Sequence, residues 1–462
     1  MFTAPPVYDC GLLLFWGMIG PMKETPFIPR NLPVTLLITI LIVSTCSAGE
    51  TPFWKRLFTS DEPPAPPVKI VAPPPTTQPP PQPTPVVAPT VSAPAVPVTL
   101  PLEVSPRQPR TSRFIEAADS HFSNRLLTED TIWKGQVLVE GGVTIAPQAT
   151  VTIEPGTTVR FRPSADGAIG LLLIRGRIRA VGTKDLPITF TSDEVAPAAG
   201  DWQGILLLDS SKDNILEWCR IDATVTGVSA VFSELTLRQS SVTRSRTGVV
   251  ARSSHLIVAG GGVTGCLTGY SFQDGDVELD AISARSNRQG VKIHGGSLSM
   301  SAAVVIGSEE SAVDATGARL RLEGSSIVAN GSGAILNGCR GDLVANRIVE
   351  NRTTGLELTA SPLKVFNNRI SGNGSFGVVV HSGGGTLWDN ALEGNQKGGL
   401  LVSGADEVTA VANWWGSSDP ERVRGAISKG GDSTITYIPF LAVAPILLGS
   451  DPVTSSGKMG AE

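Results

Sequence analysis

From about residue 137 the chain alternates apolar and polar residues with a period of two: Val137/Val139, Val143/Ile145, Val151/Ile153 and Val159/Phe161. Such alternation predicts strands with one buried face. Turn residues interrupt it at short intervals, as at Gly141-Gly142, Pro147 and Pro155-Gly156. A longer period overlies this one. Segments 325–336, 346–358, 368–380 and 390–402 share the frame Asn-x-Ile/Leu-x-x-Asn-x-x-x-Gly-apolar-x-apolar. Asn346, Asn368 and Asn390 are 22 apart, and so are Gly333, Gly355, Gly377 and Gly399. Counting back by 21 or 22 extends the glycine column through Ser311, Gly290, Gly269, Gly248 and Gly227. A repeat this regular predicts a solenoid.

Two solenoids have units of this size. A leucine-rich repeat fits Leu363-x-Val365-x-x-Asn368-x-Ile370, but it requires a helical return. The return here reads Ser-Gly-Asn, then Gly-Val-Val-Val, which favours strand. Each coil therefore holds about three short strands, and the expected fold is all-β: a single-stranded right-handed parallel β-helix. About a dozen coils at ~4.8 Å each make a rod of ~60 Å. The glycine column is expected where φ must be positive. The asparagines Asn346, Asn368, Asn390, Asn351, Asn373 and Asn395 are expected to tolerate αL at turns and to bond the same amide one coil above. The ends need covers, because unpaired strand edges invite pairing. Segment 112–127 places Phe114, Ala118 and Phe122 on one helical face and predicts an N-terminal cap helix. Trp414, Trp415 and the apolar run 435–448 are expected to close the other end.

Composition divides the chain. Residues 34–43 (VTLLITILIV) form a short apolar run, preceded by Lys23 and Arg30 and followed by small residues, in the layout of a signal segment over 1–48. The run is too short to span ~30 Å of hydrocarbon comfortably. Met22 is a plausible true start. Val43-Ser44-Thr45-Cys46 resembles a lipobox with Cys46 as the lipidated residue, although Thr45 departs from it; cleavage after Ala48 and an uncleaved anchor are the alternatives. Residues 49–111 read as a disordered linker, with 18 of the 35 prolines between 63 and 109. Proline fixes φ and lacks the N–H, so this stretch prefers extended polyproline II and serves as a stalk or a plain linker. The β-helix then occupies 112–448, and 449–462 is a tail. The net charge of −5 disfavours a nucleic-acid partner. With only 17% charged residues, a coiled coil is excluded.

Three stretches carry a family resemblance: 141–161 (GGVTIAPQATVTIEPGTTVRF), 182–204 (GTKDLPITFTSDEVAPAAGDWQG) and 412–440 (ANWWGSSDPERVRGAISKGGDSTITYIPF). They look like the opening coils, the Gly-Thr-x-x-x-Pro-Ile-x-Phe-Thr-Ser turn and the Asn-Trp-Trp-Gly terminal motif of bacterial right-handed parallel β-helix repeat proteins, which share the pectin-lyase-like fold. The resemblance implies that fold and export. It is nearly silent on activity, since the family spans polysaccharide lyases, hydrolases and epimerases, envelope adhesins and proteins of unassigned role. The Asn-Thr-Asp, Asp-Asp, Gly-His-Gly and Arg-Ile-Lys motifs of galacturonan hydrolases are absent, as is the Asp-Pro-His of alginate epimerases.

The best acidic cluster is Asp274, Asp276, Glu278 and Asp280, of which Asp276, Glu278 and Asp280 should point outward together while Val277 and Leu279 point inward. Carboxylates ~6.5–7 Å apart permit an acid/base pair or bound Ca²⁺. Repeat arithmetic places His255 one coil below, Ser297, Ser299 and Ser301 one coil above, and Arg319 and Arg321 beyond them. The plainer alternative is a solvated charged face. His294 and His381 share a repeat position four coils apart and cannot ligate one metal. Cys219, Cys266 and Cys339 lack metal or redox spacing. Trp388 beside Phe366 is either a sugar-stacking platform or a packed edge. Val313, Ile335, Val379 and Leu401, interrupted by Glu357, read as an outward apolar stripe, covered by the C-terminal run or by a partner. The expected function is an exported envelope protein of the periplasm, outer membrane or cell surface. It would act as a non-catalytic module that binds envelope polysaccharide or scaffolds an envelope protein, with the membrane met only through a lipid anchor. The alternatives are a polysaccharide lyase, hydrolase or epimerase with a divergent acidic site, and a structural partner of a membrane complex.

Overall fold

A computed structural model of the chain describes residues 118–165 and 167–446. The signal segment with Cys46, the proline-rich stretch and the tail lie outside these residues. The described chain winds into a parallel β-solenoid with three strands per coil. One coil runs Thr226–Val231, Glu234–Arg238 and Ser241–Thr243; the next repeats it as Thr247–Arg252, His255–Ala259 and Gly262–Thr264. We name the three stacks sheets A, B and C in that order. Sheet B holds 14 strands. Sheets A and C, 24 strands together, are continuous through Gln136–Ile145, which bends from one into the other.

Period-two alternation governs each strand. Asp276–Asp280 buries Val277 and Leu279 and exposes the three acids between them. The inward residues form one continuous core along the rod. The corners are built alike. Each opens on a residue in αL, as at Phe232, Gln239 and Arg244 with φ of 49°, 47° and 46°. In many corners the residue after it is small, polar and buried, as with Ser233, Ser240 and Ser245. It returns a hydrogen bond to the carbonyl two residues back and accepts a backbone N–H from the coil below.

At the corners of Ser240 and Ser245 the later coils carry asparagines instead, while the corner of Ser233 goes on to Cys339 and Ser361. Asn368 Oδ1 accepts from Asn346 N at 2.9 Å and Asn346 Nδ2 at 3.0 Å, and Asn368 Nδ2 reaches Asn390 Oδ1 at 3.0 Å. The line ends on Asn413. A second line runs Asn330, Asn351, Asn373, Asn395. The amide stacking matches expectation; the αL assignment does not. The preceding residues, Ala345, Asn367 and Asp389, carry the positive φ of 55°, 56° and 54°, which leaves the asparagine side chain free to turn into the corner.

The glycine column also differs in cause. Gly355 and Gly377 have ordinary φ. They are glycine because the corner is tight: a Cβ on Gly355 would lie 2.6 Å from Ile370 Cγ2 and 2.7 Å from the Gly377 carbonyl oxygen. The column passes through Ala312 rather than Ser311, which pairs with Ser332 beside it.

No cap helix is present over 118–127. Ser120–Leu127 is a strand parallel to Gln136–Ile145, with a bulge at Asn124. Segment 112–117 lies outside the described residues. The strand satisfies backbone groups on the first coil that a helix would leave unpaired. Phe122 stacks on Trp133 at 5.3 Å instead of completing a helical face. At the far end, the one helix among the described residues, Pro420–Gly425, is capped by Asp419 and buries Val423. The chain then continues the last coil: Ala410 N donates to Thr436 O, Ala412 N to Pro439 O and Leu441 N to Asn413 O. Trp415 is buried there, and Ile435, Tyr437 and Phe440 pack against the core.

Candidate functional site

The outer face of sheet B carries the acidic row, and the register follows repeat counting residue by residue. His255 pairs with Asp276, Asp276 with Ser297, and Ser297 with Arg319; Glu278, Ser299 and Arg321 form the adjacent line. Asp276, Glu278 and Asp280 are all exposed. Ser297 Oγ donates to Asp276 Oδ1, and Ser301 Oγ donates to Asp280 Oδ1 at 2.7 Å. Arg321 turns to Glu323 on its own strand at 2.7 Å. Beside Asp276, at the corner between sheets A and B, His255, Asp274, Ser297 and Arg319 help to line a shallow depression of about 650 Å³. The carboxylates are spread along a strand rather than gathered. Among the described residues no three His, Cys, Asp or Glu side chains converge as a metal site, so the calcium expectation rests on the row alone.

Further along sheet B, Phe366 and Trp388 meet in register on adjacent coils. Their centroids are 4.5 Å apart and their planes 7° from parallel. Each ring therefore covers one face of the other, and the pair is a packed stack with only outer faces left for a ligand.

The apolar stripe on sheet A needs one correction. Val313 is fully buried and points inward, and Asp314 holds the outward place. The corner between Ser308 and Ala312 has one residue more than the corner between Asn287 and Gly290, and a one-residue slip inverts a strand's faces. The outward line reads Asp314, Ile335, Glu357, Val379, Leu401. The described part of the C-terminal run does not fold over it, being committed to the last coil.

Sequence reading missed what the polar members of this face do. His381 Nε2 lies 2.9 Å from Glu357 Oε1, and His381 Nδ1 lies 3.0 Å from Ser403 Oγ. The three residues come from three successive coils. Glu357 is outward on its strand two places before the histidine's position, so the contact is diagonal and column counting does not reveal it. A different missed feature is a buried ion pair on sheet C, Arg160 Nε to Asp193 Oδ1 at 3.4 Å. It lies just past the end of strand Ile188–Ser192, and in the loop that follows Trp202 stacks on Phe161 at 3.8 Å.

The three described cysteines are free and buried, each at a different corner. Cys266 occupies the asparagine line, its N–H donating to Asn287 Oδ1 at 2.9 Å. Burial pushes the Cys219 thiol up to about 12 and the Cys266 thiol up to about 11, and raises that of Cys339. They are packing residues held in the unreactive thiol form.

Comparison with known proteins agrees with this geometry. Residues 270–414 match a model described as "Right handed beta helix region", and residues 126–231 one described as "Pectate-lyase like beta helix domain"; together they take in more than half of the chain. No curated protein matches the chain. Among solved structures, a periplasmic alginate epimerase, AlgG, is 13% identical, with 65% of this chain and 76% of that one covered and a TM-score of 0.32. A double mutant of AlgG gives 12%, 66%, 77% and 0.39. The A-module of the Azotobacter vinelandii mannuronan C-5 epimerase AlgE4 gives 12%, 71%, 91% and 0.23. Likeness at that level bears on neither substrate nor chemistry. The two family models and the coil-by-coil register make this chain a right-handed parallel β-helix protein of the pectate-lyase-like kind.

Proposed function

We propose that the protein is an exported rod of the cell envelope that binds a linear polysaccharide along sheet B. The supporting observation is the in-register array Asp276–Ser297–Arg319 with Glu278–Ser299–Arg321 beside it. Carboxylates, hydroxyls and guanidinium groups recur there every ~4.8 Å, one coil at a time. Carboxylates and guanidinium groups form charge-assisted hydrogen bonds with sugar hydroxyls. A straight polymer can meet several coils at once, and the depression beside Asp276 gives one ring a seat.

The test is an immobilised glycan array probed with the intact chain, followed by titration of any hit. Asp276→Asn with Asp280→Asn is expected to weaken binding ~10-fold or more, since each removes charge-assisted bonds. An array with no signal, or an affinity unchanged in the double variant, overturns the reading.

Export rests on the apolar run 34–43 and its flanks. Envelope fractionation with Cys46→Ala and a signal-peptidase II inhibitor tests the anchor. A lipoprotein leaves the membrane fraction in the variant, whereas a soluble exported protein is indifferent to both treatments.

A further inference from the structure

The outer face of sheet A contains a second, independent site. Glu357, as a carboxylate, has no proton to give, so His381 Nε2 must donate across the 2.9 Å contact. In the neutral ring Nδ1 is then an acceptor, and the Ser403 hydroxyl must donate to it at 3.0 Å. With the ring neutral, the contacts have the arrangement of an acid–imidazole–hydroxyl relay. Ser403 is exposed, so its oxygen is open to a substrate. The N–H of Gly404, next in the chain, donates to no acceptor among the described residues, and the residue after a nucleophile commonly supplies an oxyanion donor.

Apolar side chains adjoin this relay. Val379 and Leu401 lie two places before His381 and Ser403, on the same outward face, with Ile335 two coils below Val379. Ile335 and Leu401 are partly exposed and Val379 is only 6% exposed, so the apolar surface on offer is small, which suits a small acyl group rather than a long chain.

We propose that Ser403 is the nucleophile of a hydrolase for short-chain esters, such as acetyl groups carried on a sugar hydroxyl, with His381 as general base and Glu357 as its positioning residue. Ser403 Oγ attacks the ester carbonyl carbon while its proton passes to His381 Nδ1. The carbon–oxygen bond to the alcohol breaks, and the leaving oxygen takes that proton. Water then attacks the acyl-serine, giving a proton to Nδ1. The acid departs as Ser403 Oγ is reprotonated. Water is the only co-reactant.

The probe is p-nitrophenyl acetate with the intact chain, which reads this site whether or not the rod binds glycan. Ser403→Ala is expected to lower kcat/KM at least ~10²-fold, and His381→Ala by a similar factor. Both are surface changes, and circular dichroism should be unaltered. Glu357→Gln is expected to lower kcat with KM nearly constant. A fluorophosphonate should label the Ser403 peptide by mass spectrometry, and the label should vanish in Ser403→Ala. Absence of wild-type turnover, turnover in Ser403→Ala within twofold of wild type, or labelling elsewhere overturns the assignment.

Discussion

Replacing Asn368 with alanine is expected to destabilise the rod more than any other single side-chain truncation at a corner. The side chain is fully buried. Its Nδ2 serves Leu343 O at 2.8 Å, Phe366 O at 2.9 Å and Asn390 Oδ1 at 3.0 Å, while its Oδ1 holds two donors of Asn346. Alanine strands groups on three consecutive coils, and each buried group without a partner costs ~1–3 kcal/mol. A loss of about 3 kcal/mol or more is expected in chemical denaturation, with the transition broadening if neighbouring coils uncouple. Asn395→Ala, at the half-buried end of the other line, should cost clearly less. Equal losses at the two positions would mean that the lines do not act through buried satisfaction.

Gly355→Ala is the second large effect, and its sign separates two explanations of the glycine column. A conformational explanation requires positive φ, which Gly355 lacks. The steric one predicts a clash, since the new Cβ would sit 2.6 Å from Ile370 Cγ2, 2.7 Å from Gly377 O and 2.8 Å from Asn373 Nδ2. All three neighbours belong to the coil above, and one of them is a backbone carbonyl, so relief means moving backbone. Overpacking of this kind costs ~1–3 kcal/mol. Gly425→Ala provides the contrast: nothing lies within 4 Å of its Cβ, and it closes a helix. Alanine there should be neutral or stabilising by up to ~1 kcal/mol. Thermal melts of the two variants should move in opposite directions, or one should not move at all.

The architecture was legible in the sequence because a solenoid writes its contacts into its spacing. Once Gly333 to Gly399 and Asn346 to Asn390 fix the period, His255, Asp276, Ser297 and Arg319 must stack. The same arithmetic failed at Val313. The coil length changes from 21 to 22 residues without a marker, and the extra residue sits in a corner near Glu309 and Glu310, not in a strand. The N-terminal cover failed for a different reason: helical spacing of Phe114, Ala118 and Phe122 competed with an open strand edge, and the edge prevailed. The Glu357–His381–Ser403 contact is diagonal, formed by the reach of long side chains, so no column count exposes it.

The succession of serine and then asparagine corners gives the rod a polarity that its uniform cross-section hides. A hydroxyl has one proton to offer, so Ser240 stitches its coil mainly to the one below. An amide has two, so Asn368 ties the coil below and the coil above at once. The seam is therefore single-threaded where the chain enters and double-threaded toward its end. Force applied at the entry side meets the looser stitching first, and coils should part in order from that side while the later ones hold.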